Sequence, residues 1–131
     1  MRIITILIFS LFFMTSALGK TSKLTEEQKI QKLISAISKA KASFERNGSI
    51  HSAKEAGDHV SFKYKTATSP LFFFRSDEEI TAKNFIDKIA SKSSSTGEEY
   101  YIIHEESKKR EKLGTWLFRK LKEINSSQSA P

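Results

Sequence analysis

Hydrophobic and polar positions along the chain fall into runs with different periods. Ile30, Leu33, Ile34, Ile37 and Ala40 recur at steps of three and four, which predicts a helix running to about Ala42 with one apolar face. Thr25-Glu26-Glu27-Gln28 stands in front of it as a capping box, in which the threonine oxygen accepts from a free amide of the first turn and Gln28 reaches back. The outward positions Lys29, Lys32, Lys39 and Lys41 read as a solvated face. Asn47-Gly48 is a turn signal, because both residues tolerate positive φ, and it predicts a short strand near Phe44–Arg46. Ser52-Ala53-Lys54-Glu55 is a second capping box, opening a helix that turns Ala53, Ala56, Val60 and Tyr64 inward and ends near Lys65. Gly57 weakens that helix by up to ~1 kcal/mol relative to Ala, and the small stripe Ala53, Ala56, Gly57 implies close approach to a neighbouring element.

Thr66 to Glu79 is the least helical stretch. Pro70 punctuates it, Leu71-Phe72-Phe73-Phe74 has strand propensity, and Asp77-Glu78-Glu79 reads as an acidic turn. Thr81 caps a third helix with Phe85, Ile86, Ile89 and Ala90 inward, ending in Ser91 to Gly97. Tyr100 to Ile103 reads as a strand and Glu105 to Lys112 as a charged loop. Thr115 caps a last short helix, Trp116 to about Ile124, and a polar disordered tail is expected from about 125. The expected class is α+β, mainly α: about four short helices packed with a small two- or three-stranded sheet. There is no internal repeat and no heptad array.

The N-terminal run is of another kind. Ile3 to Met14 is apolar except at Thr5 and Ser10. At about 1.5 Å per residue these residues are too few to cross a hydrocarbon core of ~30 Å as a helix. Behind Met1-Arg2 and ahead of the small-x-small sequence Ala17-Leu18-Gly19, the run reads as a signal peptide cleaved after Gly19. The expected organisation is a signal peptide at 1–19 and a single small periplasmic domain at 20–131, with no membrane span after cleavage. The 131 residues suffice for one domain and exclude a multidomain enzyme. With no Cys, disulfides, a Cys-ligated metal and a lipid-modified cysteine are excluded as well.

Net charge alters the list of partners. Removal of residues 1–19 leaves 21 Lys and Arg against 15 Asp and Glu, or +6. That charge is +5 over 20–65, −2 over 66–101 and +3 over 102–131, and Glu105, Glu106 and Glu111 flank the one basic triplet, Lys108-Lys109-Arg110. Such a distribution is no phosphate-tracking stripe, so no nucleic-acid partner is expected. An unknown envelope protein or an acidic envelope component fits better, and no cofactor is implied.

Several spaced blocks share a pattern. Phe44 to His51, then Glu55-Ala56 with His59 and Lys63-Tyr64, then Thr81-Ala82 with Phe85-Ile86-Asp87, Ile89 to Ser94, Thr96-Gly97 and Tyr100, resemble a bacterial secreted family catalogued as domain of unknown function 5329. The resemblance covers about residues 25–124 and implies a small periplasmic protein of Gram-negative bacteria with no assigned activity. Thr68 to Glu79 departs from the pattern by being longer and more aromatic.

Candidate chemistry gathers in two places. His51, Glu55 and His59 are residue types that ligate metal or move protons, and Glu55 and His59 lie one helical turn apart. Their spacing is not that of H-E-x-x-H, and two His with one Glu leave a structural site incomplete. The simpler reading is an i,i+4 pair, with His51 bonded to the turn. The second place is the run Lys92, Ser93, Ser94, Ser95, Thr96 and Gly97, whose hydroxyls and amides can cradle an anion. It follows a helix C-terminus, where the dipole has the wrong sign, so structural capping with Gly97 reversing the chain towards Tyr100 is the simpler account. Arg46, beside Asn47, is either a ligand-facing arginine or a tie to a carboxylate such as Asp87. Leu71, Phe72, Phe73 and Phe74 are either a core strand paired with Tyr100–Ile103 or an exposed interface. Ser38-Lys39-Ala40-Lys41 matches S-x-x-K without the companion motifs that chemistry needs. The leading expectation is a non-enzymatic binding or interaction module. The alternative is a small hydrolase or metal-dependent enzyme using His51, Glu55 and His59. Convergence of Arg46, His51, Ser93 and Tyr100 on one concave surface would favour a ligand site.

Overall fold

The computed structural model describes residues 22–70 and 79–129. The leader expected at 1–19 and the aromatic run Leu71–Phe74 lie outside the described residues. Within them, helix α1 (Glu26–Lys39) leads into a hairpin of β1 (Ala42–Arg46) and β2 (Ser49–Ser52), followed by helix α2 (Ala53–Ala67). Helix α3 (Ala82–Phe85) passes directly into a π-helical turn, Ile86–Ala90; strands β3 (Tyr101–His104) and β4 (Arg110–Lys112) and helix α4 (Leu113–Gln128) complete the fold. The four strands form an antiparallel sheet in the order β2-β1-β3-β4. The class is α+β as expected, with one more strand than the sequence pattern indicated.

Both capping boxes form. The Thr25 hydroxyl accepts from the Gln28 amide while the Gln28 side chain accepts from the Thr25 amide, and Ser52 and Glu55 repeat the exchange at α2. Asn47 (φ 49°) and Gly48 (φ 76°) make the tight turn of the β1–β2 hairpin, where two successive positive φ values match the twist of the strands. The stripe Ile30, Leu33, Ile34 and Ile37 is buried, and it meets Phe44, Val60, Phe85, Ile86, Ile102, Leu113 and Leu117 in a single core. Helix α2 lies against β1 and β2, α4 against β3 and β4, and α1 packs on both helices. The approach of α1 to α2 is close because Gly57 has no side chain: a Cβ there would stand 2.9 Å from Ser38 Cβ.

Several boundaries differ from the sequence reading. Helix α1 stops at Lys39, with Ala40 already extended (ψ 138°), because Ala42 and Phe44 are needed as the inward positions of β1. The stretch read as a charged loop folds into a turn plus β4, since its charges find partners across the molecule. Arg110 grips Glu45 with two nitrogens, at 2.8 and 3.1 Å, and Lys112 pairs with Glu99 at 2.7 Å. Glu111 takes two bonds from Arg119, at 2.6 and 2.8 Å, and a third from His104 Nε2 at 2.8 Å. The last helix begins two residues before Thr115, with Lys112 in the cap position and no side-chain cap, because the Leu113 amide donates to the Tyr100 carbonyl. It runs on to Gln128, whose side chain accepts from the Leu24 amide, so residues 125–128 are helix rather than tail. Both edges of β3 are occupied, by β1 and by β4.

Candidate functional site

Strand periodicity places the site. Side chains alternate between the faces of a sheet, so Arg46 lies on the same side of β1 as buried Phe44, and His51, the cross-strand partner of Phe44, shares that side. Helix α2 covers them and contributes His59 one turn after Glu55 and Lys63 one turn after His59. Tyr100, just before β3, closes the other end. Arg46, His51, His59 and Tyr100 line one pocket, with Phe44, Val60 and Leu113 as its apolar wall. Its volume is about 20 Å³, slightly more than the ~10–15 Å³ that one water needs.

The His59 and Tyr100 rings meet edge to face, their centroids 6.3 Å apart. Nε2 of His59 is buried and has no hydrogen-bond partner. Burial, reinforced by the positive charges of Arg46, Lys63 and His51, pushes the imidazole down to about 4, so His59 is neutral at pH 7. Lys63 donates to the Lys92 carbonyl at 2.6 Å and stands 5.2 Å from the centre of the Tyr100 ring. Burial and the Arg46 charge bring this amine down to about 8. Burial raises the Tyr100 phenol, against the opposing influence of Arg46 and of the neighbouring Ser93 side chain. The pocket is therefore rich in donors and positive charge, and its carboxylate neighbours are committed elsewhere. Glu45 holds Arg110, and Glu55 accepts from the Ser52 amide at 2.8 Å.

The sequence candidates separate accordingly. Arg46, His51, His59 and Tyr100 come together, whereas Ser93, itself buried, is outside the pocket lining and bonds within its own loop. Glu55 lies 4.0 Å from His51 Nδ1 but serves the α2 cap, which its hydrogen bonds with Ser52 keep ionised well below the usual carboxylate range. Among the described residues no group of three or more His, Asp or Glu is placed to hold a metal ion. Arg46 makes no ion pair with Asp87. Asn47 belongs to the hairpin turn, over a shallow surface shared with Glu98, Glu99 and Tyr101.

The run after the third helix folds on itself. The Ser93 amide donates to Glu98, its hydroxyl bonds with Ser95 and accepts from the Thr96 amide, and Gly97 (φ 74°) reverses the chain. These hydroxyls serve their own loop instead of the helix-end carbonyls. Lys92, Ser94, Thr96 and Gly97 are exposed outside the pocket, and Lys92 contributes only its carbonyl, to Lys63. Lys63 is the residue the sequence reading passed over. Its i,i+4 spacing from His59 was the available signal.

Residues 24–125 match the model of a family of unknown function, DUF5329. Over 76 residues the chain is 36% identical to "Uncharacterized protein YfeK" of Salmonella typhimurium (strain LT2), a stretch covering 57% of each chain. The chain thus spans little more than half the length of this curated relative. No solved structure matches it.

Proposed function

The chain belongs to DUF5329, a family of unknown function, and we propose that it is an exported, non-enzymatic binding module of the cell envelope that takes an anionic group at the pocket of Arg46, His59 and Tyr100. The observation that carries this reading is the His59 Nε2 atom, buried without a partner in a residue that lines the same pocket as the Arg46 guanidinium. A buried donor or acceptor left unmatched costs about 1–3 kcal/mol, and a ligand oxygen removes that cost. The Arg46 charge in the lining, with Lys63 nearby, sets a positive potential that draws an acidic group of an envelope component. The leader-like residues 1–19 supply the compartment in this reading, and no described helix is long and apolar enough to cross a membrane.

The test is a titration of the ¹⁵N-labelled chain with acetate and with inorganic phosphate, at constant ionic strength, followed by NMR. Saturable shifts confined to Arg46, His59, Lys63 and Tyr100, lost in folded Arg46→Gln, are expected. Shifts scattered over the surface lysines, or none, would overturn the reading.

A further inference from the structure

The molecule itself shows what an arginine and a histidine take when set side by side. On the far half of the sheet the Glu111 carboxylate is gripped by both terminal nitrogens of Arg119 and by Nε2 of His104. Arg110 likewise holds Glu45 through two nitrogens. Among the described residues there are three arginines, and Arg46 is the one without a carboxylate in its fork. Beside it stands His59, whose Nε2 is the one buried side-chain nitrogen or oxygen among the described residues that lacks a partner. Arg46 and His59 thus form a second arginine–histidine pair from which the acid is missing.

The space available selects among acids. About 20 Å³ admits one oxygen atom beside the His59 ring, with Phe44, Val60 and Leu113 behind it. A planar carboxylate can place one oxygen there, shared between His59 and Arg46 as one Glu111 oxygen is shared between His104 and Arg119, and give the other to the second nitrogen of the flat Arg46 guanidinium, in two-point geometry. A tetrahedral phosphate carries further oxygens that meet the apolar wall, where desolvation without a hydrogen bond is costly. His59 is held neutral by its surroundings and offers a single N–H, which a bound carboxylate oxygen draws to the unpartnered Nε2. One neutral donor and one guanidinium suit the single charge of a carboxylate better than the double charge of a phosphate monoester.

We infer that the anion this site selects is a carboxylate, such as the end or an acidic side chain of a peptide, bound between the Arg46 guanidinium and Nε2 of His59. This inference rests on the anion-site reading above and adds the chemical class.

The experiment titrates four probes into the labelled full chain: N-acetylalanine, N-acetylaspartate N-methylamide, N-acetylalaninamide and inorganic phosphate. Expected are saturable shifts of Arg46 and His59 with one or both carboxylates, none with the neutral amide, and affinity for phosphate at least about tenfold weaker. Arg46→Lys keeps the charge and removes the fork, so it should weaken carboxylate binding by about tenfold, equivalent to ~1.4 kcal/mol. Its spectrum away from the pocket reports whether it has folded, and Arg46→Gln serves in its place if it has not. Phosphate binding at Arg46 and His59 as tightly as the carboxylates would overturn the inference and leave the anion-site reading intact. Absence of any anion response would overturn both. Undiminished carboxylate binding in Arg46→Lys would overturn the two-point geometry and with it the inference.

Discussion

At His59, burial and three neighbouring cations act on the same ring in the same direction. Unfolded, the imidazole titrates near 6.5; folded, near 4. The unfolded chain therefore binds more protons between these values, and stability is lost as pH falls from about 6.5 towards 4. Depressed carboxylates act lower on the scale: Glu111, pulled down to about 2 chiefly by Arg119, loses its contribution only as pH falls below the ordinary carboxylate range. Urea unfolding at several pH values should show a decline between pH 6.5 and 4.5 that is absent in His59→Leu. An equal slope in that variant would mean that other groups carry it. His59 was visible in the sequence as a candidate, but its isolation was not. Its environment depends on Arg46 and Tyr100, 13 residues before it and 41 after it in the chain.

At the scale of elements, the contact of α1 with α2 hangs on one missing side chain. Helix propensity alone predicts that Gly57→Ala gains up to ~1 kcal/mol. The packing predicts the reverse, because the added carbon meets Ser38 Cβ at 2.9 Å and Ser38 Cα at 3.2 Å, so backbone must move. A net loss of about 1–3 kcal/mol is expected in thermal or urea unfolding. A stabilised Gly57→Ala would show that the helices separate easily. The small stripe announced this contact, and the capping boxes and the Asn47-Gly48 turn were equally legible, because all are local. Strand β4 was not. Arg110-Glu111-Lys112 has no apolar alternation, and it pairs because Glu45, His104, Arg119 and Glu99 lie ready across the sheet and on α4. The start of α4 was misplaced for the same reason: its first amide is satisfied by Tyr100 instead of by Thr115.

For the whole molecule, the excess of basic residues resolves into uses. Arg110, Arg119, Lys112 and Lys54 are matched to carboxylates, whereas Arg46 lines the pocket and Lys63 is bonded to the Lys92 carbonyl beside Tyr100. Export, which the proposed function requires, has its own test. Expressed in a Gram-negative host, the chain recovered from the periplasm should have an intact mass that begins at Lys20. A chain found only in the cytoplasm would remove the envelope from the proposal, and a periplasmic chain that keeps residues 1–19 would overturn cleavage after Gly19. By itself the sequence determined the class of fold, the identity and caps of α1 and α2, the β1–β2 turn and the kinship with its family, since each rests on residues within a few positions of one another. Only the tertiary structure decided that Arg46, His51, His59 and Tyr100 share a pocket, with Lys63 beside Tyr100, that Glu55 is spent on a cap, and that one buried nitrogen among the described residues is left without a partner. Burial and the pairing of charges arise between segments distant in the chain, and no local pattern encodes them.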